Sequence, residues 1–295
     1  MEKREIIILD CNEIKCPLVL KYVFVELCGY FRRNNYVVKI ISNISDLTNN
    51  SLVFMGDGFN CDDPASLLNQ YAPEAIYIGW YWHKKNTSAL KYFIYTYENM
   101  LNYEFYKDIV NDLVFLRNTK NNTPLLLRAN EDPNMVGLNP RVVKYDYCYM
   151  GWVYCREMVP GNKFNGFYHA TYDHTKFLDY ETRKKIYLSS TFALGFQNDE
   201  NIGSKHVSQR IYEGLAYGCI VLSNSLPACE QTDNIVVYVN SKEDLEKKME
   251  FYKSNPDLMA EKQKQGYEFI KKYGTNEYSV KKFTDLIKQN FDIDI

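Results

Sequence analysis

The sequence predicts an α/β chain of two Rossmann-like halves, each built on a parallel sheet, and three observations predict it. From Ile6 to Gly79, short continuous apolar runs alternate with helical patterns, the rhythm of β–α–β units. From Ser190 to Ser225 an apolar run, a polar loop, a helical pattern and a second apolar run follow one another, the connection a parallel sheet requires. The 295 residues suit two domains of about 140 residues each.

Ile6 to Asp10, IIILD, is a continuous apolar run ending in a carboxylate, the pattern of a buried parallel strand. Pro17 opens a helical pattern in which Leu18, Tyr22, Val25 and Cys28 or Gly29 follow at helical spacing, closing at Arg32 and Arg33, where cations suit a helix carboxyl end. Tyr36 to Ile41 and Leu52 to Met55 are strands, the second running into Gly56-Asp57-Gly58. Pro64 to Tyr71 is a short helix, and the strand Ala75 to Gly79 leads into Trp80-Tyr81-Trp82-His83-Lys84. Tyr92 to Tyr97 reads as a strand, Tyr103 to Leu116 as a helix and Leu125 to Leu127 as a brief strand. The loop Asn130 to Pro140, rich in Asn, Pro and Gly, divides a first domain, 1–140, from a second, 141–275.

In the second domain Val142 to Met150 is a strand followed by Gly151, and a glycine there permits a tight turn or the close approach of a phosphate. Pro160 to Gly166 is loop, and Tyr180 to Ser189 is a helix with Arg183, Lys184 and Lys185 outward. Phe192 to Phe196 is a buried strand, Gln197 to Ser204 a polar loop, and a helix then runs to Gly218. Cys219 to Leu222 and Ile235 to Val239 are strands; Lys242 to Tyr252 and Asp257 to Tyr273 are amphipathic helices. A last helix, Tyr278 to Phe291, lies in the segment 276–295, expected to pack back on the first domain.

At 46% hydrophobic and 24% charged residues, the chain has enough apolar material for a solid core. A net charge of −2 and a pI near 6.1 provide no global basic field, so nucleic acid is not expected as a partner. The 26 Tyr and 16 Phe read first as core packing, with a sugar-stacking cleft as the alternative. Eight scattered cysteines with no CxxC pair indicate neither zinc site nor disulfide framework, hence a reducing compartment. The amino-terminal apolar run is too short for a signal peptide, and no run reaches membrane-spanning length. The expectation is a cytoplasmic protein with at most peripheral membrane contact. No P-loop, GxSxG or HExxH motif occurs; Asp292-x-Asp294 matches the metal-binding DxD spelling but lies outside a strand–loop context, so no metal site is assigned.

The chemistry concentrates on the helix before Gly218. Lys205, His206 and Ser208 lie at its start, where free N–H groups and the helix dipole favour an anion. Arg210 and Glu213 are three residues apart and border one face. Cations at a helix start and a carboxylate further on suit a nucleoside diphosphate, with the carboxylate accepting from ribose hydroxyls. The competing reading is an Arg–Glu pair on a solvated face.

The segment Tyr187 to about Leu286 resembles the carboxyl-terminal domain of group 1 glycosyltransferases, particularly the CgeB-like branch. The matching pattern is Arg-x-Phe/Tyr-Glu-x-x-Ala-x-Gly followed by an apolar strand, here Arg210-Ile211-Tyr212-Glu213-Gly214-Leu215-Ala216-Tyr217-Gly218 and Cys219 to Leu222. The tail Ser241 to Tyr273 and the strand YDYCYMG, Tyr145 to Gly151, are also similar to the family. The resemblance implies the GT-B fold, two Rossmann-like domains with parallel sheets facing across a cleft, and transfer of a sugar from a nucleotide-diphosphate sugar to a glycan or lipid-linked acceptor. It implies ribose binding by Glu213, diphosphate binding by Lys205 and Arg210, approach of the loop after Gly151 to the phosphates, and no bound metal or other cofactor. Ser208 and Tyr212 complete the expected substrate-binding set.

Many retaining members carry a second Glu where this chain has His206, so stereochemistry stays open and His206 is a candidate catalytic group. An inverting reaction needs a general base; His83 and Asp57 are the candidates at strand ends of the first domain, with Asp10 beside them. A non-hydrolysing nucleotide-sugar epimerase and a non-catalytic nucleotide-sugar-binding module are the alternatives to a transferase.

Overall fold

The computed structural model describes residues 4–10, 14–15, 31–32, 35–55, 58–59, 64–81, 92–95, 114–116, 142–151, 156–171, 176, 178–203 and 207–273. The chain divides into two compact units, Met1–Leu126 with Asn276–Ile295, and Leu127–Thr275.

In the first unit, β1 (Glu5–Leu9), β3 (Val38–Ile41), β4 (Ser51–Met55), β6 (Ile76–Tyr81), β7 (Tyr92–Tyr95) and β8 (Val114–Leu116) form one sheet in the order β3-β1-β4-β6-β7-β8. Every pairing in it is parallel. The short strands β2 (Ile14–Lys15) and β5 (Gly58–Phe59) pair antiparallel as a separate two-stranded sheet, and α1 spans Pro64–Tyr71. Ile6, Ile7, Ile8 and Leu9 are buried, as a central parallel strand covered on both faces must be. Val38 and Ile41 are buried while Lys39 and Ile40 are exposed, the mark of the edge position β3 holds.

In the second unit, β9 (Tyr145–Gly151), β10 (Gly166–Ala170), β11 (Ser190–Leu194), β12 (Ile220–Ser223) and β13 (Val237–Tyr238) form a parallel sheet in the order β10-β9-β11-β12-β13. The helices are α2 (Tyr180–Leu188), α3 (Asp199–Gly203), α4 (Gln209–Ala216), α5 (Leu226–Gln231), α6 (Lys242–Ser254) and α7 (Pro256–Tyr273). Two apolar clusters form its core: one gathers Ile186, Tyr187, Ile211, Leu215, Val221 and Phe269; the other gathers Tyr147, Phe192, Leu194, Ile220, Leu245 and Met249. Alternate residues of β9, β11 and β12 thus supply opposite faces of one sheet.

Numbered by order within its own sheet, each unit runs 2-1-3-4-5, with a sixth strand added in the first. This doubly wound order reverses between the first and third strands, and ligands bind outside the carboxyl ends there. The reversal lies between β1 and β4 in the first unit and between β9 and β11 in the second.

Three local expectations differ from the structure, and one segment left unassigned proves helical. Val114–Leu116, expected to end a helix, is a strand paired with β7; its β-branched and aromatic residues suit a pleated edge. Gly166, expected to close a loop, begins β10, which pairs with β9 along its whole length. A Cβ at Gly166 would lie 2.0 Å from Tyr147 Cζ, so the missing side chain makes room for that ring. The expected loop Gln197 to Ser204 contains the single turn α3. The polar stretch after β12 forms α5, with Ser225 Oγ accepting from Ala228 N at 3.3 Å and Pro227 in the first turn, both ordinary helix-start chemistry.

Candidate functional site

The strand-order reversal of the second unit brings β9 and β11 side by side. Gly151 ends β9, and Gly195 follows β11, its N–H donating to Leu222 O at 2.8 Å. Above β11 the chain is fastened by Asn224: its Oδ1 accepts from Gln197 N at 2.8 Å, and its Nδ2 donates to Gln197 O at 2.9 Å. The Gln197 Oε1 in turn accepts from Ser208 N at 3.1 Å, which fixes where α4 begins.

α4 lies close on the sheet. A Cβ at Gly214 would fall 2.8 Å from Val221 Cγ2 and 2.9 Å from Ala193 Cβ. On its other side, a Cβ at Gly266 of α7 would come 2.9 Å from Leu215 Cδ2. Every α4 residue from Ile211 to Ala216 is therefore buried. Arg210 and Glu213 are the only charged residues in this eight-residue helix.

The Arg210 guanidinium sits against the end of β9. Its Nη1 donates to the Tyr149 hydroxyl at 3.2 Å, and its Cζ lies 5.5 Å from the centroid of the same ring. Gly151 is where that cation passes: an ideal Cβ there would be 2.3 Å from Arg210 Nη1. The close approach expected at Gly151 is thus made by a side-chain cation.

Glu213 is 4% exposed, and its Oε1 lies 3.3 Å from Arg183 Nη2 on α2. Burial first, and the Glu213 charge second, push the Tyr187 phenol well above its ordinary value, while Arg183 and Arg210 oppose the shift. Two cations, one carboxylate and one phenol therefore share a single electrostatic neighbourhood. Ser208 precedes α4 without making a side-chain cap hydrogen bond. Its Oγ, in a residue 8% exposed, has no hydrogen-bond partner among the described residues.

The structure brings Gly151 and Arg210 together at the carboxyl end of β9, with Ser208 just before the same helix and Glu213 one turn along it, paired with Arg183. Tyr212 is instead 1% exposed and packed in the apolar core, and burial raises its phenol far out of the physiological range. Lys205, His206, Asp57, His83 and the Asp292-x-Asp294 pair lie outside the described residues. Asp10 follows β1 at the reversal point of the first unit, its N–H donating to Ile41 O at 3.0 Å. Among the described residues no group of three His, Cys, Asp or Glu could hold a metal ion, and no helix is long and apolar enough to cross a membrane.

Arg183 also departs from its expected position. It is not outward like Lys185; its side chain is 28% exposed and meets Glu213. Its neighbours three and four residues on, Ile186 and Tyr187, are both buried, and that spacing puts Arg183 on the inner face of α2. The spacing was legible in the sequence; the run of three cations hid it.

Residues 151–285 match a family model described as glycosyl transferase-like. No curated protein sequence matches this chain. Among solved structures, an alpha-glucosyltransferase in complex with UDP is similar with a TM-score of 0.62 at 11% identity, covering 96% of this chain and 99% of that one. An alpha-glucosyltransferase in complex with UDP and a 13-mer DNA containing an HMU base gives 0.60 at 11% identity, covering 97% and 100%. The Anabaena protein HepE in complex with UDP gives 0.54 at 7% identity, covering 97% and 100%.

These likenesses overturn one expectation. Nucleic acid was excluded as a partner on the net charge of −2, yet a structure that matches 97% of the chain is solved with DNA bound. Net charge is a sum over the whole surface, and phosphate contacts depend on where cations cluster. At such low identity the likeness is one of architecture: the chain has the GT-B fold, two Rossmann-like units each built on a parallel α/β sheet.

Proposed function

We propose that this protein is a glycosyltransferase that moves a sugar from a nucleoside-diphosphate donor to an acceptor hydroxyl. The observation that carries the reading is the Arg210 guanidinium against Gly151 and the Tyr149 hydroxyl, with Glu213 one turn along the same helix, at the strand-order reversal of the second unit. The glycosyl transferase-like match over 151–285 takes in Gly151, Arg210 and Glu213 and supports the same reading. The motif Arg210 to Gly218 supports the CgeB-like branch.

In this mechanism Arg210, with Lys205 as a second cation, holds the donor diphosphate. Ser208 Oγ and the first N–H groups of α4 add donors, and Glu213 accepts hydrogen bonds from the ribose hydroxyls. The bond from the anomeric carbon to the β-phosphate oxygen breaks, the acceptor oxygen bonds to that carbon, and its proton passes to a base. Charge developing on the leaving diphosphate is offset by the two cations and the helix start, so the reaction runs without a bound metal. His83 and Asp57 of the first unit, or His206, supply the base. The acceptor is a glycan or lipid-linked hydroxyl. The second reading, an HMU base in DNA, is favoured by the fold neighbour solved with HMU-containing DNA.

The test is a thermal-shift screen of UDP-, GDP-, dTDP- and CMP-sugars, then calorimetry of the best ligand with wild type and Glu213→Ala. A ligand that binds only the native state raises the melting temperature. Affinity should fall more than about tenfold in the variant, the worth of a charge-assisted hydrogen bond. Donor hydrolysis should persist in EDTA. Unchanged affinity in Glu213→Ala sinks the donor site.

A further inference from the structure

We propose that Arg183 is a positioning residue, resting on the donor-site reading above: from α2 it holds the Glu213 carboxylate where the two ribose hydroxyls meet it. Glu213 lies thirty positions further along the chain, on a different helix, so their meeting is a product of the fold alone.

Three observations carry this. First, α2 is a fixed mount. Asp179 caps it, Oδ1 accepting from Thr182 N at 2.9 Å and Oδ2 from Thr182 Oγ1 at 2.6 Å. At its other end Cys219 Sγ donates to Tyr187 O at 3.3 Å, and Ser190 Oγ donates to Ile186 O at 2.7 Å. Second, the carboxylate is not saturated. Arg183 Nη2 stands 3.3 Å from Glu213 Oε1, and that oxygen completes no hydrogen bond among the described residues. A carboxylate offers about four acceptor sites, so capacity remains for two hydroxyl donors. Third, an ion pair built on a buried carboxylate is a poor choice for stability alone, since well-packed apolar residues in its place are often neutral or better. A pair kept one turn along α4 from Arg210 is better explained by what the carboxylate must bind.

The competing reading is a staple joining α2 to α4. The two part on a ligand readout that a staple does not move: the ratio of affinities for UDP and its 2′,3′-dideoxy analogue, measured by calorimetry. Wild type should favour UDP by about tenfold or more, the worth of hydrogen bonds to a charged group. In Arg183→Met the ratio should collapse toward one, with affinity for the dideoxy analogue held within about twofold. In a Glu213→Gln background, Arg183→Met should change the ratio no further, as expected of residues acting as one unit.

A ratio that survives in Arg183→Met overturns the positioning role and leaves the donor site standing. A wild type that binds none of the UDP-, GDP-, dTDP- and CMP-sugars of the screen, or binds UDP and its dideoxy analogue equally, overturns the donor-site reading and the role of Arg183 with it. If the Met variant does not fold, Arg183→Lys carries the test. It keeps the charge and loses the planar fork, and a ratio equal to that of wild type overturns the proposal.

Discussion

A methyl group at Gly151 separates the site from the fold. Gly151→Ala places a Cβ 2.3 Å from Arg210 Nη1, 2.7 Å from Cζ and 3.1 Å from Nη2, where ordinary contact begins at 3.4 Å. The guanidinium must retreat by about 1 Å, and the atoms that move are the far end of a flexible side chain. Gly218 is the described glycine with positive φ, so Gly151 accepts alanine without backbone strain. The retreat breaks the 3.2 Å bond to the Tyr149 hydroxyl and lifts the cation off the ring. For stability the loss is that of one partly exposed contact, about 0.5–1 kcal/mol. For a diphosphate it is a misplaced charged donor, about 1.5–3 kcal/mol, or roughly 10- to 150-fold in affinity. Calorimetry with UDP beside a melting curve reads both quantities. A variant that binds UDP as wild type does, with an unchanged melt, refutes Arg210 at the end of β9 as the phosphate-holding group.

Two further predictions concern the scaffold. Gly214→Ala puts a methyl 2.8 Å from Val221 Cγ2 and 2.9 Å from Ala193 Cβ, in a core that cannot open. Overpacking of about 1–3 kcal/mol exceeds a helix-propensity gain of up to about 1 kcal/mol, so the melting temperature should fall by several degrees; a rise refutes the packing argument. Asp179 is the acid-sensitive clamp of α2: its side-chain and backbone hydrogen bonds to Thr182 hold its carboxyl below the ordinary 3.8. A lowered folded pKa means that its stabilisation is complete above about pH 4–5 and is lost as pH falls through that lowered value. In urea titrations, Asp179→Ala should therefore lower the midpoint at pH 7 and lose that deficit at pH 2–3; an equal deficit at both pH values refutes the clamp.

Much of the fold was legible because its elements are written locally. Ile6 to Leu9 and Phe192 to Leu194 are continuous apolar runs, and a strand buried on both faces has no other way to be spelled. α6 is announced by Ser241, whose Oγ accepts from Asp244 N at 3.1 Å, and by its periodic Leu245 and Met249. What failed was material with weak periodicity. The edge strand β10 mixes Gly, Phe, Tyr and His, and its pattern is decided by the neighbour it pairs with. The candidate site was half legible. Arg210 and Glu213 share a helix, so their spacing carries the signal, whereas Tyr212 looked equally placed in the motif and is core.

The sequence by itself determined the α/β class, the helix bearing Arg210 and Glu213, and the glycine that ends β9. Each follows from periodicity, capping chemistry or backbone freedom within a few residues. Only the tertiary structure decided that β9 and β11 lie side by side, so that Gly151 meets Arg210 across 59 positions. It also decided that Arg183 turns inward to Glu213. Those meetings depend on strand order and helix docking, which are set by how whole apolar faces are buried together and leave no mark at any one position in the chain.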